Sequence, residues 1–355
     1  MFAWTTGVPL LSIALVGLGF VLPVGLLLAS IAGLALIGSV LASVHHAEVV
    51  AHRVGEPFGT LILAVAVTVI EVALIVSMML AGGPDKSALP RDTIFSAIMI
   101  ICNGAVGLCV VVGGLRHHEQ SFRLEGATAA LAALIALATL SLVLPTFTTS
   151  SPGASYTPKQ LAFAAVASLV LWGVFVFVQT IRHRDYFLPP RGAADESAHA
   201  APHSLKTTWV SFALLLVSLV AVVGLAKLLS PTLERAVDAA GAPATVIGIA
   251  IALLVLLPET WAAVRAARAD RLQTSLNLAL GSALASIGLT IPAVALVSTL
   301  LGMPLQLGLG PKDLVLLVLT FAVGILTLGS GRTNVMQGVI HLVIFAAFVF
   351  LAFVP

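Results

Sequence analysis

Charge is what this chain has least of. Asp, Glu, Lys and Arg make up only 9% of its 355 residues, against 59% hydrophobic. A soluble domain carries roughly a quarter charged residues, so a fold that turns a polar surface to water is excluded and lipid is the implied solvent. The net charge of +2 is too small to hold a nucleic acid. Cysteine is nearly missing too. Cys102 and Cys109 share one apolar segment; two helical turns apart, they cannot bridge and read as small packing residues. No Gly-x-x-x-x-Gly-Lys-Ser/Thr loop is present, which argues against a nucleotide-driven pump. The apolar start at Phe2 has no basic n-region, so no cleaved leader is expected.

What the chain has instead is apolar length. A span needs about 20 residues. Eleven stretches qualify: 2–22, 24–44, 58–81, 94–115, 127–147, 160–181, 207–228, 244–264, 272–300, 313–330 and 333–354. The expected fold is all-α and membrane-integral, with about eleven transmembrane helices in a lipid bilayer. The longest polar break, 182–206, holds Pro189, Pro190, Gly192 and Pro202 and reads as a flexible linker.

Lys and Arg set the topology. With eleven spans, one face carries Arg53, Arg116, Arg123, Arg182, Arg184, Arg191, Lys206, Arg265, Arg268, Arg271 and Arg332. The other carries Lys86, Arg91, Lys159, Lys227, Arg235 and Lys312. The richer face is expected in the cytoplasm, with the N-terminus inside and the C-terminus outside, in the periplasm if the membrane is a bacterial inner membrane.

The chain also divides into two like halves. With residues 1–23 set aside as an N-terminal helix, 24–181 and 207–355 each hold five spans around the 182–206 linker. Five is odd, so the halves run in opposite senses through the bilayer, the inverted-repeat arrangement of secondary transporters. Glu71 and Glu259 each lie in the second span of their half. A carboxylate at mid-bilayer costs on the order of 3 kcal/mol by insertion scales, and no Lys or Arg lies deep in any span. Such acids mark a polar site.

Oxygen-bearing neighbours accompany them. Thr68 precedes Glu71 by three residues, on the same helical face. Pro258 removes a backbone donor beside Glu259, which either turns carbonyls toward a cation or simply kinks the helix. Thr260 follows the acid; Asn103 is the amide of the fourth span; Ser282 and Ser286 lie one turn apart in the ninth. Singly, such hydroxyls are commonly glue between helices. Together they form an oxygen set suited to calcium, sodium or magnesium rather than soft metals. Burial also raises a carboxyl pKa when no cation is present, so the same acids can take protons instead.

These residues carry a resemblance. Arg53-Val-Gly55-Glu56-Pro-Phe-Gly59-Thr60-Leu, followed by Glu71, resembles the first repeat signature of the calcium/cation antiporter superfamily, in particular its ChaA-type cation/proton antiporters. Leu257-Pro258-Glu259, a basic turn with Asp270, and Leu278-Ala-Leu-Gly281-Ser282 are similar to the second. The resemblance implies two inverted five-helix repeats plus one N-terminal helix. It implies Glu71 and Glu259 as cation- and proton-binding acids, Asn103 and Ser282 as nearby ligands, and Gly55, Gly59, Pro258 and Gly281 as structural residues of the signatures. The sequence departs from the vacuolar-type pattern at Val67-Thr68-Val69 and at Ala285, which leaves the ion open among calcium, sodium and potassium.

Nine histidines complete the inventory. His45, His46, His52, His117, His118, His183, His199 and His203 are expected in cytoplasmic loops. His45, His46, Glu48 and His52, with Glu56 close by, form a helix-spaced group at the mouth of the third span, suited to drawing in cations or sensing pH, or else simply solvated. His341 stands alone in the last span as a packed imidazole. The expected activity is export of cytoplasmic calcium, or of sodium or potassium, against proton entry, with no cofactor, no nucleotide partner and an unassigned oligomeric state. A cation channel is the rival from another class. An enzyme has little support, because the spans hold no metal triad or activated nucleophile.

Overall fold

In the apolar interior of a bilayer a backbone N–H or C=O has no water to bond, so a spanning segment must satisfy its own polar groups, and an all-α chain does so by helix. The computed structural model describes residues 4–19, 21–22, 25–55, 58–188, 204–239, 241, 243 and 245–354. Eleven helices follow one another: α1 (Trp4–Gly19), α2 (Leu26–Val54), α3 (Phe58–Gly82), α4 (Leu89–His117), α5 (Leu124–Phe147), α6 (Pro158–Arg182), α7 (Leu205–Ala239), α8 (Thr245–Arg268), α9 (Leu272–Leu301), α10 (Pro311–Leu328) and α11 (Val335–Phe353). Among the described residues, nine have the length and apolarity to cross a membrane, and α1 and Val65–Leu80 of α3 are shorter apolar helices. Leu11, Phe163, Trp209, Leu300 and Leu326 stand exposed on helix faces, as lipid-facing side chains do.

Two expected boundaries are corrected. The second span was to end at 44, but α2 continues to Val54. Its 29 residues extend about 43 Å at 1.5 Å per residue, beyond a hydrocarbon core of about 30 Å. Polar side chains mark the edge of lipid there; Ala47, Val49 and Val50 stay buried and carry the helix on. Likewise α7 runs to Ala239 rather than 228.

The helices gather into two compact units. One holds α1, α2, α3, α7 and α8 as far as Val255. The other holds α4, α5, α6, the rest of α8, and α9, α10 and α11. Each unit draws helices from both halves of the chain. In the first unit, α2 packs most extensively on α7. α1 lies against both of them: Gly38 of α2 faces Val8, and Gly224 of α7 faces Val16. Ser39 Oγ donates to Ser12 Oγ at 2.8 Å.

In the second unit, α6 packs on α9 and α4 on α11. The α4–α11 crossing is set by glycine. A Cβ on Gly338 would lie 2.7 Å from Val111 N and 2.9 Å from Gly107 O; one on Gly107 would lie 2.9 Å from His341 Cβ. Backbone atoms cannot step aside, so only hydrogen fits. A two-residue antiparallel pair, β1 (Gln120–Ser121) with β2 (Arg332–Thr333), closes one end of this crossing, and Phe95 meets Phe348 edge-on at 5.6 Å toward the other.

Gly338→Val is therefore expected to cost roughly 1–3 kcal/mol by overpacking, read as a lower unfolding temperature in detergent. Gly33→Ala, where an added methyl would meet nothing within 4 Å, should be neutral or better. Equal stability of the two variants would refute the crossing.

Candidate functional site

Glu71 belongs to the first unit. It sits in α3 with Thr68, and both side chains are buried, at 3% and 5% exposure. The sequence placed them on one face, and the helix keeps them there. Glu71 and Thr68 each engage a further group. Gly55 caps α2 at φ 77°, ψ 172°, its N–H reaching Ala51 O. That backbone region is open essentially to glycine alone, which explains the first signature glycine. Gly59 lies in the opening turn of α3, while Glu56 falls outside the described residues.

Glu259 belongs to the second unit, with Pro258 and Thr260 beside it, all half-buried. Pro258 does not interrupt the helix: α8 runs from Thr245 to Arg268. The proline still lacks an N–H, so the carbonyl four residues back, on Leu254, goes without its helix donor. Glu259 also engages a further group. Ser282 and Ser286 lie on α9, half-buried and buried. Gly281 has no atom within 4 Å of where a Cβ would sit, so packing does not demand it.

Asn103 sits in the middle of α4, where the chain makes a π-helical turn over Ile100–Ala105 and Val106 N–H reaches back five residues to Ile101 O. Such turns are rare and concentrate at functional sites. Asn103 is fully buried. Its Nδ2 donates to Thr320 Oγ1 at 2.9 Å, and its Oδ1 lies 3.0 Å from His341 Nδ1. His341 Nε2 lies 3.1 Å from Thr327 Oγ1. His341 is the packed imidazole the sequence suggested, and it also joins α4, α10 and α11 through hydrogen bonds. Thr320 and Thr327 were not singled out in the sequence, and His341 was read there as packing only. The available signal was that each is a polar residue within an apolar run.

The histidine group is also corrected. His45, His46 and His52 are not in a loop but within α2. His46 turns inward, buried, and its Nε2 donates to Thr5 O of α1 at 2.9 Å, so it fastens two helices. His45, Glu48 and His52 share the exposed side. His117 ends α4 and meets Arg268 O at 3.1 Å; His199 and His203 fall outside the described residues. Cys102 and Cys109 are both unbridged and buried. Among the described residues no three His, Cys, Asp or Glu side chains gather as a metal centre.

Arginine-rich helix ends meet within the second unit. Gln120, just past α4, donates from Nε2 to Ala267 O and Asp270 Oδ1, both at 2.9 Å. Arg123 N donates to Gln273 Oε1 at 2.6 Å, and Ser121 pairs with Arg332 across the short sheet. Arg116, Arg123, Arg265, Arg268, Arg271 and Arg332 therefore belong to one end of this unit.

Gly55→Ala tests the first signature. With φ at 77°, it should cost about 1–3 kcal/mol, measured as lost thermal stability in detergent. An unaltered melting curve would show that α2 does not need this cap.

Known proteins place these observations in a family. The profile of the sodium/calcium exchanger proteins matches residues 22–181 and 210–354. A candidate ionic transporter of Sinorhizobium fredii, y4hA, is 52% identical over 99% of this chain and 96% of its own. The sodium-potassium/proton antiporter ChaA of Escherichia coli is 35% identical over 94% and 90%. A crystal structure of the Ca2+/H+ antiporter YfkE shares the fold, with a TM-score of 0.75 at 15% identity over 99% of both chains. This multi-pass membrane chain belongs to the sodium/calcium exchanger protein family, a family of transporters rather than enzymes.

Proposed function

We propose that the chain is a cation/proton antiporter that exports cytoplasmic calcium against proton entry, using Glu71 and Glu259 as the acids that take either ion. The observation that carries this is the matched placement of one intramembrane carboxylate in the second helix of each half. Thr68, Asn103, Thr260, Ser282 and Ser286 supply neutral oxygens. Gly55, Gly59 and Pro258 shape the backbone of the two signatures, and Gly281 leaves open space beside Ser282. An acid that binds a cation must be ionised; one that has taken a proton has lost that charge. Alternating between the two as the chain changes conformation exchanges cation for proton, and the proton gradient supplies the energy.

The division into an N-terminal helix 1–23, repeats 24–181 and 207–355 and a linker 182–206 goes with this reading. The two matched stretches, 22–181 and 210–354, support it. So do the packing pairs: exchanging the halves maps α4 on α11 into α9 on α6, and both pairs are present.

A second cation reading has its own support. The Escherichia coli relative is named for sodium and potassium, so the same acids would serve a monovalent ion. Everted vesicles carrying a pH-sensitive dye separate the cases. Calcium, sodium or potassium added alone should collapse the proton gradient if transported, and calcium is expected to do so at the lowest concentration. Glu71→Gln and Glu259→Gln, which imitate the protonated acid permanently, should each abolish exchange. Full exchange in either variant would overturn the two-acid reading, and cation flux without proton movement would make the protein a channel.

The arginine-rich end of the second unit is assigned to the cytoplasm of a bacterial inner membrane, which puts the N-terminus inside and, after eleven crossings, the C-terminus in the periplasm. A C-terminal alkaline phosphatase fusion should be active and a green fluorescent protein fusion dark; the reverse pattern would invert the assignment.

A further inference from the structure

The buried chain of bonds around Asn103 has a direction that can be worked out. Thr320 Oγ1 donates to Leu316 O at 2.7 Å, so toward Asn103 it can only accept. That fixes the amide: Nδ2 faces Thr320 at 2.9 Å and Oδ1 faces the imidazole at 3.0 Å. A carbonyl oxygen only accepts, so the proton of the ring is on Nδ1. In a neutral ring Nε2 is then an acceptor, and Thr327 donates to it at 3.1 Å. All four side chains are at most 2% exposed.

We propose that His341 is a positioning residue for cation exchange: its Nδ1–H holds the carboxamide of Asn103 and, with it, the π-helical turn of α4, in the orientation that cation binding uses. The inference rests on Asn103 belonging to the cation pathway, as set out above. Gly107 and Gly338 make it possible, since their close approach brings α11 near enough for an imidazole to reach α4. His341 has no role as a ligand here. It acts on the carboxamide, one of whose oxygen lone pairs it occupies while the other stays available.

Two amide substitutions distinguish the two ring nitrogens. Asparagine places its NH2 where Nδ1 lies, and glutamine places it where Nε2 lies. In the vesicle assay, His341→Asn should keep the cation KM within about twofold of wild type, and His341→Gln should raise it about fivefold, as loss of one hydrogen bond implies. Thr320→Val, nearly the same shape, removes the acceptor that orients Asn103 and should raise KM similarly; Thr327→Val, which leaves the Nδ1 bond intact, should not. If His341→Gln does not fold, the threonine pair still decides the matter. Equal KM in Thr320→Val and Thr327→Val, or in the two His341 variants where both fold, would overturn the proposal. A wild-type KM in Asn103→Ala would overturn it too, and would leave the two-acid reading standing provided Glu71→Gln and Glu259→Gln are inactive.

Discussion

A polar group in the middle of a bilayer has to find its partner in the protein, and the whole chain is shaped by that constraint. The backbone answers it by helix. The side chains answer it first by composition: charge is reduced to 9%, and the deep part of the spans carries almost none. An acid kept at depth under these conditions costs on the order of 3 kcal/mol, so its presence calls for a use. This is why Glu71 and Glu259 stand out. Neither would be notable on a water-exposed helix. The same constraint explains Asn103: an amide buried among Met, Thr and His side chains has both ends of its carboxamide occupied.

Lipid offers no hydrophobic force to press two apolar helices together, so helices meet where small residues let backbones approach. The consequences reach the polar network directly. Gly338 lies three residues before His341, and Gly107 lies four residues after Asn103, so the glycine contact sits one turn from the histidine–amide bond. A larger residue at either glycine would push α11 away from α4 and lengthen that bond. The packing of α9 on α6 follows the same rule, since a Cβ on Gly288 would come within 2.5 Å of Trp172 Cβ. Small residues set the distance, and polar residues then make the contact specific.

The number and position of the helices were legible because runs of about 20 apolar residues leave few alternatives. The second span was drawn too short because polarity marks where lipid ends, whereas a helix ends where its packing and capping do. That error moved His45, His46 and His52 into a loop and hid the bond from His46 to α1. Pro258 removes one hydrogen bond, as its residue type dictates, and the neighbouring helical turns are enough to keep α8 continuous. The face shared by Thr68 and Glu71 was readable because it is local. The pairing of His341 with Asn103 was not, because 238 residues separate them and no local pattern encodes that contact.

Duplication and packing together bear on how the two signatures work. If each half folded as its own bundle, the helices of 24–181 would pack among themselves. Instead α2 joins α7, α4 joins α11 and α6 joins α9, so each unit is built from both halves. One helix is divided as a result: α8 belongs to one unit up to Val255 and to the other from Leu256. The hydrogen bond that Pro258 cannot make would have run to Leu254, across that division. The helical ladder of α8 is therefore one bond short at the step where it passes from unit to unit, and bending there meets less resistance than elsewhere along it. Glu259 is the next residue. A change in α8 at that step would alter the acid's surroundings directly, which ties the proline of the second signature to the acid beside it even though the helix remains unbroken.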